Sequence, residues 1–416
     1  MRSSKLARQA WNVVGSSIAI LTLVLVVGCS SPALATPTPT RTPRAGSSVN
    51  ASALQQTARP ATATSVPTQP PTATATSAPT DLPAITETPP ATEAPVAAGS
   101  GPAPTRDPNV SPLTGLRPAD PSVLARRPLA IKVDNDPAVV PQSGLDKADV
   151  VVESRKEGCL TRFTAIYQSQ DAARVGSVRS ARLIDKELPV IFDAVLGFSG
   201  AVQAVLDIIR HSDIGDHILT QGAFFRDPNI AVPFNLFGNT ASLWNTVTQR
   251  GWNKQPDPTA AWAFSEAAPP GGAPAKQIEI PYPRPAFKIT WAYDPASGRW
   301  GRSLNGKPHV DKVTGQQLTA ADVVVLGANH VQTLIPEQGT KLTQGSCSNA
   351  SVEIQLWGEG PAQILRDGKV YEGKWVRSDR HAPFRFLDAA GKDIPLKPGN
   401  SWWQIIPLDM KVTITP

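Results

Sequence analysis

Residues 30 to about 108 are mostly Pro, Thr, Ala and Ser, as in Thr36-Pro37-Thr38-Pro39-Thr40 and again from Thr68 to Thr80. Such a segment cannot bury enough apolar surface to offset the entropy of ordering it. Its prolines favour extended, polyproline-like spacing, so it reads as a disordered stalk. Fully stretched, at roughly 3 Å per residue, it spans on the order of 200 Å. Whatever folds in this chain of 416 residues must therefore come after it.

What precedes the stalk says where the protein works. Arg2, Lys5 and Arg8 form a positive n-region, and Ile18 through Val27 form a short apolar stretch. The run Val26-Val27-Gly28-Cys29-Ser30 resembles a bacterial lipobox, at which an export signal is cut and the Cys is lipidated. The apolar stretch is too short and too asymmetrically flanked for a membrane span. Residues 1–29 are thus expected to be a lipoprotein signal peptide. Cys29 would be the lipidation site, holding the protein on the extracytoplasmic face of a bacterial membrane. More than one acyl chain makes such an anchor lasting.

The formal net charge is +6, but no Lys/Arg run or stripe accompanies it. Nucleic-acid binding needs a concentrated basic footprint and is not expected. Besides Cys29, only Cys159 and Cys347 remain. In an oxidising compartment the two either form one bridge between distant parts of the chain or stay as separate small apolar thiols. There is no CxxC and no Cys/His cluster, so no structural metal site or cofactor is expected.

A folding region begins near Asn109. Leu129–Val133, Val150–Val152, Phe163–Tyr167 and Asp193–Phe198 read as strands. Ser180–Leu188, Ala201–His211 and Ser242–Arg250 read as helices. The alternation predicts an α/β layered domain with a mixed sheet over residues 109–252. Residues 253–277 are rich in Pro, Ala and Gly and read as a linker. Beyond it, Phe287–Tyr293, Asp322–Leu326, Val352–Trp357, Lys369–Trp375 and Trp402–Ile406 are β-like runs between turn signals. They predict a mainly-β domain over 278–416, and an α+β protein as a whole.

The densest polar block runs through Glu157, Arg162, Arg179, Ser180, Arg182 and Asp185. With a helix starting at Ser180 as N-cap, its free N–H groups and Arg179 would favour an anion. Arg162 would add a planar bidentate donor, and Arg182 and Arg226 further positive charge. The competing reading is that these arginines pair with Glu153, Glu157 and Asp185 as internal scaffolding. Asp134, Asn135, Gln142 and Ser143 follow a strand, where α/β proteins place ligand contacts, although Asp/Asn before Pro also simply starts turns. No nucleophile elbow, zinc-protease motif or phosphate loop is present. The five His residues are scattered and read as surface or capping residues.

Several blocks in order carry a resemblance. These are Ser111-Pro112-Leu113-Thr114-Gly115-Leu116, Asp134-Asn135, Pro141 to Asp149, Thr161-Arg162-Phe163 and Gly176 to Arg182. In the second half they are Lys374-Trp375, Ala382-Pro383 and Gly391 to Leu396. The chain resembles the DUF3048 family of YerB-like lipoproteins over roughly 111–250 and 280–408. The resemblance implies an anchored protein with an α/β and a C-terminal domain, and brings no established activity. Where that family has Pro-His-Asn this chain has Pro233-Phe234-Asn235, and Cys159 replaces a glycine. A general-base role for that His is thereby removed, while Arg179, Arg182, Arg226 and Asn235 keep theirs. Two functions follow. One is a binding or scaffold module for an anionic or glycan envelope component, with an envelope protein as a further partner. The other is an enzyme on phosphate-linked glycans, with Mg²⁺ held by Asp134 or Asp185.

Overall fold

The structure, a computed structural model, describes residues 107–256, 262–283 and 288–416. The signal segment, Cys29 and the stalk up to residue 106 lie outside the described residues. Strands dominate. The first are β1 (Leu129–Asp134), β2 (Val150–Arg155), β3 (Thr161–Tyr167), β4 (Val175–Gly176) and β5 (Val195–Gly197). Next come β6 (Ile218–Leu219), β7 (Phe225–Arg226) and β8 (Leu236–Gly238). Among the described residues three short α-helices interrupt them, α1 (Leu188–Ile191), α2 (Gln203–Arg210) and α3 (Thr240–Gln249).

The second half begins with β9 (Ala273–Pro274), β10 (Gln277–Ile280), β11 (Ile289–Asp294), β12 (Arg299–Leu304), β13 (Lys307–Pro308) and β14 (Thr319–Ala320). It continues with β15 (Asp322–Pro336), β16 (Ala350–Gln355), β17 (Gly358–Arg366) and β18 (Lys369–Arg377). It ends with β19 (Arg385–Leu387), β20 (Ser401–Pro407) and β21 (Thr413–Thr415).

One large sheet runs β19-β18-β17-β15-β20-β2-β3-β1-β5-β6, with β16 on the outer part of β15 and β9 on β18. β20 is its hinge point. It pairs in parallel with β15 on one side and with β2 on the other, Val152 opposite Trp403. The segment 253–277 is thus a change in composition and not a break in the sheet, because strands from both sides of it share one hydrogen-bonded ladder. A smaller, six-stranded sheet runs β13-β12-β11-β10-β21 with β14 on β12, and a third runs β4-β8-β7.

The expected helical layer is correspondingly thin. The Ser180–Leu188 helix does not form. A 3₁₀ turn spans Leu183–Lys186, and α1 follows with Pro189 in its first turn, where a missing N–H costs nothing. Ser180 is no N-cap. The chain beside it is extended and pinned on both sides, Arg179 N donating to Lys132 O at 3.0 Å and Ala181 N to Gly200 O at 2.9 Å.

Successive side chains of a strand face opposite ways, and Trp402 and Trp403 show it at the middle of the sheet. Trp403 packs with Phe192, Trp262, Phe384 and Phe386 in the core under α1 and α2. Trp402 packs edge-on against Phe163 and Trp291 in the core beneath the six-stranded sheet. Truncating either indole costs about 3–5 kcal/mol by transfer and cavity terms. Among the described residues no helix is long and apolar enough to cross a membrane.

Candidate functional site

The polar groups singled out in the sequence gather where β1 ends and β3 begins, Asp134 standing opposite Arg162 in the ladder. Most are buried. Lys132, between Ile131 and Val133, lies 2.8 Å from Asp185 Oδ1 and donates to Thr164 Oγ1 at 2.6 Å. Burial pulls its ammonium pKa down and the Asp185 charge opposes that. Asp185 Oδ2 accepts from Arg182 N at 2.7 Å, which starts the 3₁₀ turn. Arg182 grips Glu157 with both arms of its fork, Nε at 2.6 Å and Nη2 at 2.5 Å. Burial works against the Glu157 charge, but the Arg182 hydrogen bonds and charge overcome it and hold the carboxyl well below the usual range. Lys156, pulled down to about 8 by burial and the nearby Arg162 charge, sits 3.2 Å from the same carboxylate. Glu337 approaches Arg182 at 3.4 Å.

Arg162 donates to Ser180 O at 2.8 Å and pairs with Asp134 at 3.3 Å. Burial and the neighbouring Arg182 charge pull it down to about 10. Within this cluster Lys132, Lys156, Arg162, Arg179 and Arg182 face Asp134, Glu157, Asp185 and Glu337, so the charges nearly cancel. Arg162 and Arg182 are both buried and paired within it. Asp134 and Asp185, the pair considered for Mg²⁺, are each taken by a cation. Among the described residues no group of three or more His, Cys, Asp or Glu side chains converges to hold a metal.

The cluster reaches the surface through Arg179, whose side chain is 23% exposed. Its Nε lies 2.9 Å from Asp134 Oδ2, its Nη1 donates to Pro233 O at 3.1 Å, and its guanidinium sits over the Phe234 ring. Next to it Arg226, exposed on β7, donates to Asn235 Oδ1 at 2.6 Å. Arg174 pairs with Asp227 at 2.7 Å and lies flat over Phe237, 3.5 Å from its centroid. Arg174 and Arg179, on either side of β4, and Arg226 on β7 thus gather about the β7–β8 hairpin, with Asn235 buried beside Arg226. Gly144 helps set the strands beneath it, with φ +83° and no room for a Cβ, which would stand 2.3 Å from Arg174 O.

A second buried network lies on the other side of Asn135. Asn135 Nδ2 donates to Glu153 Oε1 at 3.1 Å and to Thr161 Oγ1 at 2.7 Å, while its Oδ1 accepts from Gln142 Nε2 at 3.1 Å. Glu153 also accepts from Arg302 at 2.8 Å and Gln404 at 3.2 Å. His309 closes the circuit. Its Nδ1 is 2.6 Å from Arg302 Nη1, which can only donate, and its Nε2 is 2.7 Å from Gln142 Oε1, which can only accept. The ring is therefore neutral with the proton on Nε2. Burial, with the Arg302 charge behind it, pushes its pKa well below the ordinary value. His309 is thus no surface residue. Ser143 contributes its backbone, N donating to Gly176 O at 2.9 Å.

Sequence reasoning missed Lys132, Arg302 and His309, and gave Glu153 to other arginines than Arg302. A signal existed for three of them: each stands at a position whose strand neighbours are apolar, Lys132 in β1, Glu153 after Val152, and Arg302 inward between Trp300 and Leu304. A charge there demands a buried partner.

Cys159 and Cys347 are joined by a disulfide. It ties the turn carrying Glu157 to the loop before β16, where Gly158 N also donates to Ser348 O at 2.9 Å. A different kind of buried group is Asp322, which opens β15. Its Oδ1 accepts from Lys397 N at 2.9 Å and its Oδ2 has no hydrogen-bond partner among the described residues. Burial pushes its carboxyl up to about 8, against the Lys397 hydrogen bond and the Arg366 charge. A groove of about 810 Å³ lies between residues 263–273, Tyr371 and the 388–395 turn.

Both halves of the chain are similar to known proteins. Residues 113–253 match the N-terminal domain, and residues 278–403 the C-terminal domain, of a family described as "Protein of unknown function (DUF3048)". A Bacillus subtilis (strain 168) protein named "Putative lipoprotein YerB" is 28% identical over 302 residues, covering 71% of this chain and 86% of its own. The crystal structure of YerB protein from Bacillus subtilis superposes with a TM-score of 0.62 at 25% identity, over 74% of this chain and 99% of that one. With two family domains in order across well over half its length, and the fold of a family relative, the chain belongs to the DUF3048 family.

Proposed function

We propose that the protein is a lipid-anchored binding module of the bacterial envelope, displayed on the extracytoplasmic face, which takes an anionic group of an envelope glycan or phosphate at the opening formed by Arg179, Arg226 and Asn235. The observation that carries this reading is the position of Arg179. It is the member of an otherwise buried, self-neutralised cluster whose guanidinium reaches the surface, next to an exposed Arg226. Guanidinium groups held from below by Asp134 and Asn235 are preorganised and present planar donors outward, which suits phosphate or carboxylate. A binder also fits the long tether, which gives reach without demanding orientation.

The test is thermal unfolding of the full mature chain carrying Cys29→Ser, with inorganic pyrophosphate and with a uronic-acid oligosaccharide as probes. A ligand that binds only the folded state raises the midpoint. The expected result is a rise with at least one probe that Arg179→Ala removes. No rise with either probe, or one that survives in Arg179→Ala, would reject the opening as the site.

A further inference from the structure

The turn between β7 and β8 carries something an anion site does not need. It reads Ile230-Ala231-Val232-Pro233-Phe234 after Asp227-Pro228-Asn229. Val232 is 71% exposed, and Phe225 beside the turn is 43% exposed. A single exposed apolar residue calls for no explanation. This turn differs from that case in two respects. It is preformed, Asp227 N donating to Asn235 O at 2.8 Å and Phe234 N to Ala231 O at 2.9 Å, so the apolar tip is held outward and is not a frayed end. It is also collared by guanidinium groups from three elements. Arg174 and Arg179 lie over the rings of Phe237 and Phe234, and Arg226 stands on β7. Two carboxylates lie against the collar, Asp227 paired with Arg174 and the buried Asp134 with Arg179 and Arg162, so the collar's three arginines meet two acids there.

An apolar tip rising from a ring of cations is the arrangement of a segment that rests in the boundary between lipid headgroups and acyl chains. We infer that the 227–234 turn docks on a bilayer surface bearing anionic lipids. Val232 with its neighbours Ile230 and Pro233 enters the acyl boundary, while Arg174, Arg179 and Arg226 meet headgroup phosphates. The argument for this occupant is charge complementarity, since the collar attracts an anionic surface and the tip suits the layer just below it. The lipid site expected at Cys29 keeps a bilayer within reach of the same chain. The inference rests on the reading of the opening as anion-facing and adds to it the source of the anion and the apolar contact.

The test is co-sedimentation of the full mature Cys29→Ser chain with vesicles of phosphatidylcholine alone or mixed with phosphatidylglycerol, at low and high salt. Binding is expected to the mixed vesicles, to fall with salt, and to drop about tenfold in Val232→Asp while persisting in Val232→Leu. Val232 is so exposed that neither change disturbs the fold. Equal binding by Val232→Asp and the parent chain, or no preference for the anionic vesicles, overturns the inference. The pyrophosphate-induced midpoint shift separates the two readings. If it survives in a chain that ignores vesicles, the opening stands and the bilayer contact falls. If vesicle binding depends on Val232 but no soluble anion raises the midpoint, the bilayer contact stands alone.

Discussion

Asp322 shows how a single side chain couples this fold to pH. Its carboxyl is buried, half-satisfied and pushed up to about 8, against an ordinary carboxylate value near 4. Between those two values the folded chain holds a proton that the unfolded chain releases. Stability from this group is therefore complete below about pH 4 and is lost as pH rises towards 8. Asn keeps the acceptor for Lys397 N and has no charge to desolvate. Relative to the parent chain, Asp322→Asn should gain on the order of 3 kcal/mol between pH 5 and pH 8 in urea unfolding, and an unchanged difference at the two pH values would contradict the assignment. The same logic explains which residues could be found from sequence. Arg179, Arg182 and Glu157 stand in a dense polar block and were legible as a group. Whether they served a ligand or one another was not, since that depends on the register bringing Asp134 against Arg162 and on a 3₁₀ turn bringing Arg182 against Glu157.

At the scale of elements, strands were legible wherever apolar residues run together or alternate, as in β1, β3, β18 and β20. Helices were less so. Residues 180–188 have helix-compatible composition, yet β1 takes Arg179 N just before them, the loop before α2 takes Ala181 N and the Asp185 carboxylate takes Arg182 N, leaving only a 3₁₀ turn and one short α-turn. Tertiary hydrogen bonding overrides a local preference of a few tenths of a kcal/mol per residue. β15 also outran its expected end at Leu326, continuing to Pro336 as an arm that pairs with β16. The disulfide fastens that arm across a sequence separation of 188 residues, so its main effect is on the unfolded chain. Reducing it, or replacing both cysteines by Ala, should lower the unfolding free energy by about 2–5 kcal/mol. The check is the midpoint with and without reductant, alongside a thiol count. An unchanged midpoint after complete reduction would mean the bridge adds nothing.

For the whole molecule, the large sheet makes the two family segments interdependent. Residues 109–252 alone would leave β2 as a raw edge, and residues 278–416 alone would leave β20 unpaired on one side. Both cores, around Trp402 and around Trp403, draw residues from each half. Calorimetry of the intact chain should accordingly show one cooperative transition for the folded part, and the two halves expressed separately should show none. Two resolved transitions, or a half that melts cooperatively alone, would mean the segments are independent. The composition break at 253–277 could not reveal this, because strand order in a sheet is a long-range property that no local pattern records.

The place of β20 has a consequence for how the protein is made. The strand at the middle of the large sheet follows every other strand of that sheet in the chain. Until Ser401–Pro407 emerges, β2 and β15 have nothing to join them, and the tryptophans that organise both cores are missing. A nascent chain of this design keeps its large sheet open until β20 has been made.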